Sequence, residues 1–414
     1  MNKFKQTAIA SVIGTLAFAS AQAEELVIFQ KWSSPAEVRA LRVLQENAAK
    51  LGIEWIDITI PHDTGSNVSL LNLVTGGKPP NIFSEKNPAV YADLEEMGLA
   101  RPMTKEFEEA GVLEHLPAAV RNSITMDGNV MVFPLGLHID GMLFFNTEVA
   151  QKAGVDPEAW ATLDEMFADF DKIRDAGYVP LAVGAQSWQV GYLTHALVAS
   201  IGGQALFNDI YGAEPDIAAL DDPRLAETFD WLRKFQKAAD AGSVNRDWNM
   251  TTNMVINGDA LMQIHGDWMK GEWRAAGKTA GEDFGCTTIP GAVAVAVTVD
   301  GWGILGGQPE AKDAAEISFA LMAVDPQVNA DFAYEKGATP IRTDAPKDRL
   351  DICSEKTLAL LEDPERQVQN PHSMTDADWQ SAIWEVAFNF WSDEAMTTEM
   401  AIEELKSNFD IILN

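Results

Sequence analysis

The stretch at residues 26–60, LVIFQKWSSPAEVRALRVLQENAAKLGIEWIDITI, alternates between two kinds of hydrophobic pattern. The apolar run at residues 26–29 predicts a short strand. Residues 35–50 carry apolar side chains on one face and start with a proline, so they predict a helix that Gly52 closes. Isoleucines at every second position of residues 56–60 predict another strand.

The same alternation continues along the chain. Residues 68–74 predict a helix that stops at Gly76-Gly77, and residues 81–84 predict a strand. Strand and helix in this order indicate an α/β fold whose sheet is largely parallel. Pro134 and Gly136 then interrupt the pattern. Further strands are predicted after them, at residues 179–183, 261–264, 293–299 and 303–305. Because no single linker divides the chain, two lobes would require it to cross between them more than once.

The composition excludes several classes of protein. The chain has 414 residues, 47% of them hydrophobic, which is enough for a large core and argues against disorder. Its 30 Lys and Arg against 62 Asp and Glu give a formal net charge of −32. So acidic a chain lacks the basic footprint of a nucleic-acid-binding protein, and an anionic membrane would repel it.

The first residues carry a targeting signal. Lys3 and Lys5 precede an uncharged apolar run at residues 8–19, and Ala21-Gln22-Ala23 follows with the small residues of a cleavage site. This pattern predicts a secretory signal peptide at residues 1–23, cleaved after about Ala23, and hence a periplasmic protein. In that oxidising compartment Cys286 and Cys353 favour one disulfide. Two buried thiols are the alternative.

Two further motifs do not indicate a cofactor. Residues 301–306, GWGILG, match the glycine pattern of dinucleotide-binding folds by letter. That motif must open a helix directly after a strand, whereas Gly307 and Pro309 follow here. His138 and Asp140 could ligate a metal, but two ligands without a third are too few. We therefore expect no cofactor and no metal.

Polar and aromatic residues follow many of the predicted strands, where ligands of open α/β sheets bind. A tryptophan face can cover the apolar face of a sugar ring, while carboxylates, amides and cations bond its hydroxyls. Each residue also has a structural alternative, such as a core tryptophan or a solvated lysine. The candidates are Trp32, Glu37, Lys86, His138, Asp140, Gln186, Trp188, Asp267, Trp268, Asp300, Trp302, Lys336, Arg342 and His372.

Several of these residues lie in longer motifs whose order and spacing resemble a known family. The sequence is similar to the solute-binding components of carbohydrate ABC importers, and among them to the glucose/mannose-binding type. The resemblance covers nearly the whole mature chain. It rests on Lys31-Trp32 with Glu37 and on residues 78–83, 134–138, 181–189, 265–272, 284–291 and 336–342. Residues 350–353 also match the family, at the position of its second cysteine, and this match supports the disulfide.

The resemblance implies a two-lobed periplasmic-binding-protein fold of type II, with a mixed, mostly parallel sheet in each lobe and the ligand in the cleft between them. The N-terminal lobe would take residues 24–133 and about 292–345, and the C-terminal lobe residues 134–291 and about 346–414. Trp32 and Trp268 would stack on the sugar, and His138 would line the cleft from the crossing between lobes. The hydroxyls would be bonded by Glu37, Lys86, Asp300, Lys336 and His372.

The resemblance also implies a monomeric, non-enzymatic protein that binds a small sugar and meets a membrane permease with its ATPase. The chain departs from the glucose type where Ser33 replaces a second tryptophan, where a glutamine near Ser84 is missing, and at Gly141-Met142, which replaces an aromatic residue. These losses predict open space and a relaxed preference that extends to a disaccharide or glycoside. The alternatives are a polyol-phosphate ligand, or a secreted glycoside hydrolase using Asp267 and Asp300.

Overall fold

The computed structural model describes residues 23–60 and 66–413, so the predicted signal peptide lies outside it except for Ala23. The strands are β1 Glu24–Gln30, β2 Ile53–Thr59, β3 Ile82–Phe83, β4 Thr125–Met126, β5 Asn129–Val130, β6 Val132–Asp140, β7 Met142–Asn146, β8 Val179–Leu181, β9 Ala260–His265, β10 Phe284–Thr288, β11 Val295–Ile304 and β12 Gln367–Gln369.

The helices account for more of the described chain than the strands do. They are α1 Pro35–Lys50, α2 Ser66–Thr75, α3 Pro88–Glu96, α4 Thr104–Glu109, α5 Ala118–Ile124, α6 Thr147–Ala153, α7 Leu163–Ala168, α8 Phe170–Asp175, α9 Ser187–Tyr211, α10 Pro223–Ala238, α11 Trp248–Ile256, α12 Met269–Ala275, α13 Glu310–Ala323, α14 Pro326–Lys336, α15 Ile352–Leu360, α16 Ala377–Ser392 and α17 Thr398–Ile412.

The opening β1–α1–β2 unit forms as the sequence predicts. Ser34 caps α1: its hydroxyl accepts the backbone N–H of Glu37, and the Glu37 carboxylate accepts the N–H of Ser34. Pro35 fits the first helical turn because it has no N–H to satisfy. Leu26, Ile28 and Leu44 are completely buried between the strands and the helix. The same capping that starts the helix therefore places Glu37 at the carboxyl end of β1.

The strands form two main sheets and a hairpin. The six-stranded sheet has the order β12-β11-β3-β1-β2, with β6 also paired to β11, and the four-stranded sheet has the order β10-β7-β9-β8. The β4–β5 hairpin turns at Asp127-Gly128. Both residues have the positive φ angles that such a tight turn requires.

The expectation of a mostly parallel sheet in each lobe is correct for the six-stranded sheet and wrong for the four-stranded one. In the first, β1 pairs in parallel with β2 and β3, and β11 with β12. In the second, β7 is antiparallel to both of its neighbours, and only β8 and β9 are parallel. Among the paired strands of this sheet, only β8 and β9 follow each other in the chain, and the helices α9 to α11 connect them in the crossover that parallel strands need.

The long antiparallel pair β6–β11 lies in the six-stranded sheet, and β6 leads directly into β7 of the four-stranded sheet. The sequence suggested that Pro134 and Gly136 interrupt the strands, but β6 is continuous. Pro134 and Gly136 instead lie opposite Gly301 and Asp300, where a β-bulge shifts the register. A bulge tolerates a proline because the ladder is already broken there. The lobe boundary proposed at residues 133/134 thus falls inside β6, and the boundaries themselves stay a prediction.

The sequence analysis missed α9, a helical segment that kinks at Gly203. Its side chains are apolar on nearly all sides, so it lacks the one-sided periodicity that predicts a surface helix. By length and composition α9 could cross a membrane, but 72% of its most apolar window is buried inside the protein. Such burial is typical of a core helix. Trp188 consequently stands in the first turn of a helix and not in a loop.

The predicted disulfide is confirmed. Cys286 in β10 is bonded to Cys353 in α15, across a Cα–Cα distance of 5.9 Å. Lys356, one turn further along α15, donates to the carbonyl of Cys286. The start of α15 is therefore fastened to the edge strand of the four-stranded sheet.

The carboxyl group of Glu316 on α13 is buried in the core of the six-stranded sheet, so it should affect how the stability of the protein depends on pH. This carboxyl accepts from the Asn81 amide, and burial raises its pKa from 4.5 to about 7. The folded protein therefore holds a proton that the unfolded chain releases, so this group's contribution to stability falls as pH rises from 4.5 to 7. Glu316→Gln should remove about 2 kcal/mol of that decline, measured as the free energy of urea unfolding at pH 4.5, 6 and 8.

The matched control is Glu310→Gln, an exposed position on the same helix. That variant should keep the wild-type dependence of stability on pH. An unfolding free energy of Glu316→Gln that parallels wild type at all three pH values would contradict the raised pKa.

Candidate functional site

A cavity of about 260 Å³ opens where the carboxyl ends of β1 and β3 face helices of the four-stranded sheet. Its wall combines six large aromatic rings with groups of both charges. The lining residues are Lys31, Trp32, Glu37, Ser84, Lys86, Asn87, Trp188, Tyr192, Trp248, Trp268, Thr298, Asp300, Gly301, Lys336, His372, Ala377, Gln380, Ser381 and Trp384.

Lys336 is the central charge of this wall. It is the last residue of α14 and only 3% exposed. Its Nζ lies 3.6 Å from Glu37 Oε1 and 3.5 Å from Asp300 Oδ2, and 5.1 Å and 6.0 Å from the ring centroids of Trp32 and Trp268. Two carboxylates and two aromatic faces thus compensate one ammonium group that would be costly to bury alone.

Gly337 allows the chain to turn away directly after Lys336. It adopts a left-handed conformation with φ 83°, and a Cβ there would lie 2.4 Å from the backbone nitrogen of Gly271 in α12. No other residue fits both the conformation and the space. The glycine therefore lets α12, and Trp268 just before it, pack against the end of α14 that carries Lys336.

A row of buried groups holds the Asp300 carboxylate in place. His138 Nδ1 lies 2.6 Å from Asp267 Oδ1, and His138 Nε2 lies 3.1 Å from Asp300 Oδ2. Burial lowers the pKa of His138, but the two flanking carboxylates outweigh it and raise the pKa above its usual 6.5. Burial likewise raises the pKa of Asp300, yet Lys336, His138 and Lys86 around it hold that pKa well below its usual value.

Three of the predicted ligand-binding residues do not reach the cavity. His138 is completely buried and Asp267 is 1% exposed, so neither lines the cleft as the sequence analysis expected. Asp140 is 2% exposed and accepts from Thr298 and Asn370, with His195 Nε2 3.0 Å away. For His138 and Asp140 the reason is that every residue of β6 is buried, so both faces of this strand are covered.

The other predicted residues are brought together. Trp32, Glu37, Lys86, Trp188, Trp268, Asp300, Lys336 and His372 all line the cavity. Of the additional candidates, Trp302 is buried with its ring centroid 5.2 Å from that of Trp32, and Arg342 is paired with Asp344 instead.

Lys86 and His372 form the edge of the cavity near β3. The Lys86 ammonium donates to the carbonyl of Val299, and burial lowers its pKa although Asp300 and Asp140 raise it. His372 Nε2 lies 2.8 Å from the buried Glu85 carboxylate. Burial raises the pKa of Glu85, but His372 outweighs it and holds the pKa well below the usual value. Glu85 therefore adds a negative charge directly behind the wall.

The sequence analysis missed the part of the wall that helices supply. Tyr192 comes from α9, Trp248 from α11, and Gln380 and Trp384 from α16. The search had followed residues at strand ends, which these are not. A signal was present in α16, where positions 377, 380, 381 and 384 recur with helical spacing and combine small, polar and aromatic side chains.

The predicted open space at Gly141-Met142 is absent. A Cβ on Gly141 would lie 2.8 Å from the Ala196 methyl group, and Met142 is 1% exposed. The glycine pattern at residues 301–306 is also explained, because most of it lies inside β11 rather than at the start of a helix. Within residues 23–60 and 66–413, no group of three or more potential metal-ligating side chains occurs.

Comparison with known proteins decides the family. The model of the bacterial extracellular solute-binding proteins matches residues 33–350. The chain belongs to this family. It is therefore a solute-binding protein and not an enzyme. The glycoside hydrolase alternative is accordingly wrong, and the geometry agrees, since Asp267 and Asp300 lie on either side of one buried imidazole instead of facing the cavity together.

Relatives of this solute-binding protein include two that are named probable sugar-binding periplasmic proteins. The one from Mesorhizobium japonicum is 32% identical over 359 residues, covering 86% of this chain and 84% of the relative. The one from Rhizobium meliloti is 29% identical, with 98% of each chain covered. Among solved structures, a chitin oligosaccharide binding protein superimposes with a TM-score of 0.81 at 16% identity, covering 94% of this chain and 99% of that one. The fold is thus the two-lobed type II fold.

The buried carboxylate–histidine row makes a direct prediction for His138. The pKa of its imidazole should lie above the usual 6.5, and Asp267→Asn should lower that pKa because one of two opposite charges is lost. Proton NMR titration of the histidine ring signals measures both values, with the His138→Gln spectrum assigning the signal.

Asp344→Asn is the control, since Asp344 lies 3.6 Å from the half-exposed His115 instead. It should leave the pKa of His138 unchanged. A His138 signal in the wild-type protein that titrates at or below pH 6.5 would contradict the raised pKa of this imidazole.

Proposed function

We propose that this chain is the periplasmic sugar-binding component of an ABC importer and that it captures a neutral monosaccharide or small oligosaccharide of glucose or mannose type. The observation that carries the proposal is the cavity wall, in which aromatic rings alternate with groups of both charges. Aromatic faces suit the apolar face of a sugar ring, and fixed charged donors and acceptors suit its hydroxyls. The names of the two relatives from Mesorhizobium japonicum and Rhizobium meliloti support the same class of ligand.

In this proposal a single sugar ring lies between Trp32 and Trp268, next to the Lys336 ammonium. Glu37 and Asp300 accept from its hydroxyls, while Lys86, Lys336 and His372 donate to them. His138, Asp140 and Asp267 act behind the wall, where they fix the orientation of these groups. The lobes at residues 24–133 with 292–345 and 134–291 with 346–414 close on the sugar by a hinge motion. The monomer then delivers it to the permease and its ATPase.

The mixed charge of the wall favours a neutral sugar over a polyol phosphate. Phosphate recognition typically uses the bidentate fork of arginine, and among the residues that the structure describes no arginine lines the cavity. Of the lining lysines, Lys336 is already shared between two carboxylates. A phosphate would have to compete with Glu37 and Asp300 for this ammonium, whereas a hydroxyl can join the arrangement.

The test is a fluorescence titration of the protein from residue 24 onward. Glucose, mannose, galactose, common disaccharides and glycerol phosphate are added while tryptophan emission is followed. A saturable change with at least one neutral sugar is expected, and none with glycerol phosphate. Trp268→Ala should abolish the response, because it removes the ring nearest to Lys336 on the α12 side.

Trp55→Ala serves as the control, since Trp55 lies on β2 and outside the cavity wall. It should retain wild-type affinity for the sugar. A response to glycerol phosphate alone would overturn the neutral-sugar assignment, and a response to no compound of the panel would overturn the proposed function.

A further inference from the structure

One face of α16 lies along the cavity without being needed for the sugar ring described above. Ala377, Gln380, Ser381 and Trp384 all line the cavity. Their spacing of three, four and seven residues puts them on one side of the helix. The helix α16 also packs on α9 and α17. We call these four residues the α16 face.

The α16 face carries two buried hydrogen-bond donors that have no partner. Gln380 is 4% exposed, and neither its Nε2 nor the indole Nε1 of Trp384 bonds to any residue that the structure describes. Buried donors are nearly always satisfied in native proteins, since an unpaired one costs stability. Both side chains line the cavity, so a turn of either side chain would bring its unpaired donor to the oxygens of a bound molecule.

The position of the Trp384 indole is set by the residues packed against it. Gly191 of α9 lies under its indole, and a Cβ at that position would be 2.6 Å from the ring carbons. Any larger residue would push the indole away. The Tyr192 ring centroid is 5.8 Å from that of Trp384 and 5.7 Å from that of Trp268. Trp268, Tyr192 and Trp384 thus form a continuous row of rings that begins beside Lys336 and ends at α16.

The cavity extends as far as the α16 face. Its volume is about 260 Å³, and its wall reaches from Trp32 and Lys336 to Gln380 and Trp384. Because the Tyr192 ring lies between those of Trp268 and Trp384, the part of the cavity beside the α16 face is separate from the place of a ring held by Trp32 and Trp268.

We propose that the α16 face is a second sugar subsite, with Trp384 as the platform for a second ring and Gln380 as a donor to its oxygens. The ligand is then a disaccharide or a glycoside of similar size and not a free hexose. This inference rests on the proposed function and narrows its ligand. It assigns Trp384 as the residue that selects two linked rings over one.

Native mass spectrometry followed by calorimetry tests the proposal. The protein is equilibrated with an equimolar mixture of glucose, mannose, galactose, maltose, cellobiose and trehalose, and the mass of the retained ligand is read. A disaccharide mass is expected. Trp384→Ala should weaken disaccharide binding about tenfold or more and monosaccharide binding by less than about twofold. Trp384→Phe should lie between wild type and alanine, because it keeps a ring but loses the N–H.

Two controls separate binding from folding. Glu385→Ala changes the neighbouring, exposed position of α16 and should leave both affinities as in wild type. Trp268→Ala should remove binding of both sugar sizes. A wild-type protein that retains only a hexose, or a Trp384→Phe or Trp384→Ala variant that changes the two affinities by the same factor, would overturn the second subsite while the proposed function stands. Retention of no sugar would overturn both.

Discussion

The buried ammonium of Lys336 is the constraint on which the site depends. A charge that is 3% exposed is tolerated only with compensating partners, and these come from separate parts of the chain: Glu37 from α1, Asp300 from β11 and two tryptophan faces. Asp300 in turn is held by His138 and, behind it, Asp267. One cation thereby fixes the relative positions of α1, α14, β11 and the start of α12.

This arrangement explains why a solute-binding site can be polar, aromatic and rigid at once. Lys336, Glu37 and Asp300 are already paired with one another, so a neutral ligand adds hydrogen bonds there without having to neutralise a charge. His138 and Asp267, which orient Asp300, are buried behind the wall. Preorganised polar groups of this kind lower the entropic cost of binding a flexible, hydroxylated molecule.

The sequence predicted the local elements and much of the site but not the whole wall. The β1–α1–β2 unit follows from a strong local pattern and the disulfide from two cysteines in an oxidising compartment, and residues at strand ends such as Trp32 and Asp300 reach the cavity. His138 was misplaced because a strand pattern does not show that both of its faces become covered. Trp384 was missed because α9 and α16 are brought to the cavity by tertiary packing, for which one sequence holds no direct signal.

The most direct test of this account is a crystal structure of the protein bound to a sugar that it retains from solution. We predict one sugar ring between Trp32 and Trp268, with hydroxyl oxygens within hydrogen-bond distance of Lys336 Nζ and of the Asp300 carboxylate. His138 should still join Asp300 and Asp267 in that complex. A sugar bound elsewhere, or bound in the cavity with Lys336 withdrawn from both carboxylates, would contradict the central role of the buried ammonium.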